Sequence, residues 1–214
     1  MFALAKRKFV CKVCCEMNHA VLRKVAAATA ILCDELAGTV DMFFAIKAIY
    51  LADRQMLIDY GTPITGDRYS SMPQGPILCA TYDLMSGKYK ADKTLQAEWS
   101  QAFSKNGNAL APRGPVDVDC VSPAEEAILR DKINLVMKLG VDGVNVADWM
   151  HENCPEWEFV VKGSSKALPL RRVISFAKKV DPNTAKKMEE SIADGLKNRD
   201  RGELANHPLL VACG

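Results

Sequence analysis

Apolar residues recurring at helical spacing, with helix starters and stoppers at their ends, constrain this chain more than any other feature. Leu22, Val25, Ala26, Thr29, Cys33 and Leu36 form one stripe, and Gly38 ends it by accepting a left-handed backbone. Asp41 stands at an N-cap position ahead of a second stripe of Met42, Phe43, Ile46, Ile49, Tyr50 and Leu57, which Gly61 closes. The short link between the two predicts an antiparallel helix pair. Ser122-Pro-Ala-Glu125 is a capping box with proline at the first helical position, followed by Ile128, Ile133, Val136, Met137 and Leu139 up to Gly140. Asn145 caps a short helix through His151. Pro169 to Lys178 reads as helix, and Asp181-Pro182 opens a last helix to Leu196.

Breakers punctuate the rest. Pro63 and Gly66 predict a turn and a short extended segment ending near Met72, Gly75-Pro76 a further turn, and Ile77 to Met85 a short helix. Residues 86–113 are polar and mixed. Asn108–Arg113 and Val116–Val121 fit the arms of a hairpin across Gly114-Pro115, and Glu156 to Lys162 reads as extended. The expected fold is mainly α: a compact domain of about six helices with a small antiparallel sheet or hairpin. A hydrophobic fraction of 49% over 214 residues is enough to core it.

Charge and cysteine usage narrow the function classes. The 28 basic and 26 acidic residues leave a net charge of +2, so no overall field draws the chain to nucleic acid or anionic lipid. No apolar run approaches the roughly 18–20 residues that span a bilayer. Lys6, Arg7, Lys8 and Lys12 lack the apolar stretch of a signal peptide behind them. The chain reads as cytoplasmic, and its eight cysteines as thiols.

Chemistry-bearing patterns are sparse. Cys11-Lys-Val-Cys14, with Cys15 and His19 nearby, makes at most half a zinc site, because no second Cys-x-x-Cys exists to complete four ligands. The three histidines, His19, His151 and His207, occupy neither a metalloprotease spacing nor a nucleophile elbow. Glycine-rich phosphate cradles are missing as well, since Gly61-x4-Gly66 is followed by Asp67. Arg171-Arg172, Lys178-Lys179 and Lys186-Lys187 form a basic stretch, with Glu189 and Glu190 close behind. Such a stretch suits a solvated helix face or a contact with nucleic acid.

One constellation asks for more than a bland explanation. Tyr50-Leu-Ala-Asp53-Arg54 lies late on a buried-looking helix, and Asp67-Arg68-Tyr69 follows after a tight turn. Desolvated charges must be paired or hydrogen-bonded. The expectation is cross-pairing, such as Asp53 with Arg68 or Asp67 with Arg54, which either merely pins the turn to the helix or also orders a recognition surface.

The same residues carry a family likeness. Ala48-Ile-Tyr-Leu-Ala-Asp-Arg54, Tyr60-Gly-Thr-Pro-Ile-Thr-Gly-Asp-Arg-Tyr69, Met72, Gly75-Pro76 and Tyr82-Asp83-Leu84 resemble the core pattern of Panacea-domain proteins. Ser122-Pro-Ala-Glu-Glu126, Trp149 and Pro155-Glu-Trp157 are similar to the family's second half. The resemblance implies a Panacea-like domain over 17–197, an N-terminal extension of 1–16 and a flexible tail over 198–214. It also implies an antitoxin, in some members prophage-encoded, that neutralises a protein toxin by direct binding, or an adaptor that delivers the toxin to a AAA+ protease. No catalytic residue and no cofactor come with it. Arg54, Arg68, Tyr69 and Met72 are the expected partner contacts. The alternatives are a DNA-binding autoregulator using the basic stretch and a Cys/His-dependent enzyme.

Overall fold

A computed structural model describes residues 17–200 and Leu209. Residues 1–16, with Cys11, Cys14 and Cys15, lie outside the described residues. In chain order the elements are α1 (His19–Glu35), β1 (Val40–Asp41), α2 (Met42–Asp59), β2 (Tyr69–Met72), β3 (Gly75–Leu78), α3 (Cys79–Met85), α4 (Lys93–Ala102), β4 (Phe103–Asn106), β5 (Ala109–Pro112), α5 (Pro123–Val141), α6 (Val146–Asn153), β6 (Lys166–Leu168), α7 (Leu170–Lys178) and α8 (Pro182–Asp200). The domain is mainly α, as expected. It carries two small antiparallel sheets rather than one, in the orders β1-β5-β4 and β3-β2-β6.

The capping residues behave as the sequence dictates. Asn18 accepts from Val21 N, Asp41 from Phe43 N, and Asn145 from Ala147 N. Ser122 and Glu125 close their reciprocal box. Asp181 receives Asn183 N, Thr184 N and the Thr184 hydroxyl. Each satisfies backbone donors that a helix start leaves open.

α2 is the central rod. Ile49, Tyr50, Ala52, Asp53 and Leu57 along it have no exposed surface. The expected direct pairing of α1 with α2 is largely taken over by α5, which lies along α2 and also against α1. The reason is visible in the side chains of α1. Lys24 Nζ reaches both Glu125 oxygens at 2.8 Å, and Arg130 holds Asp34 and Glu35 at 2.8 Å. At the far end Lys178 of α7 caps α2 by donating to the Leu57 and Ile58 carbonyls at 3.2 and 2.6 Å, where a cation also meets the negative end of the helix dipole.

Four expectations need correction. Gly75-Pro76 is not the turn: Pro73-Gln74 turns the chain, and Gly75 and Pro76 begin β3, opposite Met72 and Ser71. Proline is tolerated there because β3 is an edge strand. Residues 86–113 hide α4, which Asp92 caps and which buries Leu95, Trp99 and Ala102. The hairpin pairs Phe103–Asn106 with Ala109–Pro112, so Val116–Val121 is not an arm of it. The third strand of the other sheet is Lys166–Leu168, later than the expected extended stretch at 156–162. Beyond α8, Leu209 is buried and its carbonyl accepts from Asp117 N at 3.0 Å.

Gly75 is the tightest point of the design. Its φ is +99°, and a Cβ there would meet Met150 Cβ at 3.0 Å and Lys47 Nζ at 3.3 Å. Gly75→Ala should therefore cost about 1–3 kcal/mol, from backbone strain and the clash with α6 together. Urea unfolding of the two proteins checks this; equal midpoints would show that the hairpin is not seated on α6.

Candidate functional site

The charged constellation of α2 and the following loop is buried, but it is wired differently from the expected cross-pairs. Arg54 pairs with Glu156 rather than with Asp67. Asp53 accepts from Thr65 N at 3.0 Å, the Thr65 hydroxyl at 2.7 Å and the Tyr69 hydroxyl at 3.2 Å. Asp67 accepts from Ala80 N, Thr81 N and the Thr81 hydroxyl, and from Arg68 N. It is thus the N-terminal cap of α3, supplied from outside the helix. Neutral donors already placed by the backbone satisfy both carboxylates, so neither needs a guanidinium. Burial pushes Asp53 up to about 6 against the pull of those hydrogen bonds, and it raises Asp67 too.

Arg54 turns the other way, to a residue the sequence did not single out. Glu156 is fully buried and accepts from Arg54 Nε at 2.7 Å and from the Tyr50 hydroxyl at 2.6 Å. Its own carbonyl accepts from Arg172 Nε at 2.7 Å. The 154–158 turn is thereby fastened to both α2 and α7. Only its place in Pro155-Glu-Trp157 hinted at Glu156, because its partners lie about 100 positions away.

Tyr69, one of the four expected contacts, is buried with its ring edge-on to Tyr50 at 5.8 Å between centroids. It is part of the core. Arg54 is largely covered by its ion pair, whereas Arg68 is exposed and Met72 half-buried. Tyr82 is half-buried with Lys88 over its ring, and the neighbouring Asp83 is buried.

Met72 leads to the surface feature that matters most. A groove of about 490 Å³ opens between the start of α2 and the β2–β3 turn, with Met42, Phe43, Ile46, Met72, Ile77 and Tyr82 in its walls. That size is in the range of clefts that accept a few side chains or a small ligand, about 300–1,000 Å³. Lys47 lies in the floor, buried, with Nζ 3.2 Å from the Pro76 carbonyl and 5.6 Å from the centre of the Phe43 ring. Burial brings its ammonium down to about 7. Lys162 and Gly163 form part of the rim. Trp157 Nε1 donates to the Met72 carbonyl at 2.9 Å and stacks on His151, and its other neighbour is Phe159. Phe159 and Val161, between Trp157 and Lys162 in the chain, are 78% and 63% exposed.

The remaining candidates are placed as follows. His19 faces Glu98 at 3.5 Å, and among the described residues no His, Cys, Asp and Glu cluster is arranged to hold a metal ion. Burial raises the Cys154 thiol to about 12 and the Cys33 thiol to about 11, the wrong direction for a nucleophile. Of the basic stretch, Arg171 pairs with Glu189, Arg172 with Glu158, Lys186 with Glu190, and Lys178 with the end of α2. Among the described residues no helix is long and apolar enough to cross a membrane.

The structure is a mainly α domain with a buried tyrosine–carboxylate core and an apolar groove on its surface. The family model for the antitoxin SocA-like, Panacea domain matches residues 46–158, more than half of the chain. The chain belongs to that family. No curated protein and no solved structure matches it. The match begins within α2 and ends at Glu158, so it contains Tyr50, Asp53, Arg54, Asp67, Glu156 and most of the groove walls.

Two tests follow. Arg54→Met leaves Glu156 buried with only Tyr50 to hold it, and should cost about 3–5 kcal/mol. The double variant Arg54→Met/Glu156→Gln should recover most of that loss in a thermodynamic cycle. For Asp53 the sign is fixed by a folded value near 6 against about 3.9 in the unfolded chain. The native state holds the extra proton, so this contribution to stability is full below about pH 4 and gone above about pH 6. The stability difference between wild type and Asp53→Asn should fall across that window; a flat difference would show that Asp53 is ionised throughout.

Proposed function

We propose that this protein is an antitoxin that neutralises a protein toxin by direct binding, and that the toxin docks over the groove and the Phe159–Val161 segment. The observation that carries this reading is the coincidence of the family match with an apolar groove, together with an exposed Phe159 three residues before Lys162 of its lining. Hot spots of protein interfaces are aromatic and well-packed residues set in such surroundings. Met residues add adaptability, which suits a surface meeting a partner's irregular apolar contour. Met72 keeps its expected place among the contacts and Arg68 remains exposed beside the hairpin, while Tyr69 and Arg54 act behind the surface.

Co-expression with the protein encoded next to it tests the proposal. Growth rescue and co-purification are the expected outcome. Phe159→Ser and Met72→Ala should each weaken the complex by at least about tenfold, the scale of a hot-spot truncation, with unfolding midpoints close to wild type. Rescue that survives both substitutions at unchanged affinity would move the interface elsewhere. A host lacking its AAA+ proteases separates direct neutralisation, which persists there, from adaptor action, which is lost.

A further inference from the structure

The groove has a charge asymmetry that the antitoxin reading does not require. Its lining includes two lysines, Lys47 and Lys162, and no carboxylate. Lys47 is 2% exposed, yet among the described residues its ammonium donates to the Pro76 carbonyl alone. An ammonium has three N–H donors, and a desolvated charge without acceptors is costly. The Phe43 ring face 5.6 Å away compensates only weakly. Among the described residues, buried Lys24 is paired with Glu125 and buried Glu156 with Arg54 and Tyr50, while Asp53 and Asp67 each accept several hydrogen bonds from neutral donors. Cys154, an ionisable group acting on Lys47, is held as the neutral thiol by its own burial. The lysine in the groove floor has one acceptor and no carboxylate.

From this juxtaposition we infer that the groove receives a short segment of a protein partner in which an acidic side chain stands between apolar residues. The carboxylate is accepted by Lys47, and the flanking apolar side chains fill the walls made by Met42, Phe43, Ile46 and Ile77. The inference rests on the binding reading above and names the chemistry of the bound segment. It accounts for a lysine where a methionine would pack at lower cost. Low dielectric in the floor strengthens the ion pair once it forms, and it makes the site selective, because an amide or a cation at the same position leaves the ammonium unmatched.

The experiment uses the full chain and three pools of fluorescein-labelled heptapeptides, blocked at the C-terminus. The pools share apolar flanks drawn from Leu, Met and Phe and differ only in a central Glu, Gln or Lys. Fluorescence anisotropy should show the Glu pool binding at least about tenfold tighter than the Gln pool, the scale of one buried charged contact, and the Lys pool weakest. Lys47→Met should abolish the preference for Glu while leaving binding of the Gln pool intact. Lys47→Gln retains a donor for the Pro76 carbonyl and serves the same purpose if Lys47→Met fails to fold. Equal affinity for the Glu and Gln pools, a preference that survives at Lys47→Gln, or no binding by any pool overturns the inference. The co-expression rescue is read separately, so an antitoxin that docks through other chemistry still scores there while failing here.

Discussion

The organisation of this domain depends on one carboxylate with no contact to solvent. Glu156 sits in a turn with no regular structure of its own, and a turn at that depth has to be tied down by side chains. Tyr50 and Arg54, one helical turn apart on α2, present a hydroxyl and a guanidinium to the same oxygen. With Arg172 holding the Glu156 carbonyl, the turn, the central helix and α7 form one unit. The segment that follows, which carries Lys162 and Gly163 of the groove lining, leaves from that tie and is fastened again where Trp157 donates to the Met72 carbonyl.

The other two buried acids are satisfied in a different way. Asp53 and Asp67 are each surrounded by backbone N–H and hydroxyl donors, so the hairpin following them is held by short-range geometry rather than by long flexible cations. Threonine is the common element: Thr65 donates twice to Asp53 and accepts from Asp67 N, and Thr81 donates twice to Asp67. A hydroxyl loses little rotamer freedom on ordering, whereas an arginine loses much more. The loop thereby gains a fixed shape at small entropic cost.

Much of this was legible in the sequence, and the reason for the remainder is physical. Caps and apolar periodicity act over four residues, so Asp41, Ser122, Asn145 and Asp181 announced their helices. The buried character of Tyr50, Asp53 and Asp67 was also readable from their place on a buried-looking helix and a tight turn. Their partners were not, because charge complementarity suggested arginine while the folded chain offered nearer neutral donors. α4 escaped notice because its buried face is only Leu95, Trp99 and Ala102 amid polar residues. The groove was invisible: its walls come from α2, β2, β3 and the segment after Glu156, which only the fold brings together.

The indole of Trp157 carries a last consequence. Its N–H grips the Met72 carbonyl at the hairpin turn, while its ring lies against His151. The two lips of the opening are thereby cross-braced, one by the hairpin and the other by the strap that follows Glu156. Such a mouth neither yawns nor clamps as something enters. Under the proposed binding role, ordering settled at folding means that an arriving polypeptide forfeits little of its contact energy to rearrangement, and selection falls on whatever already has the matching contour.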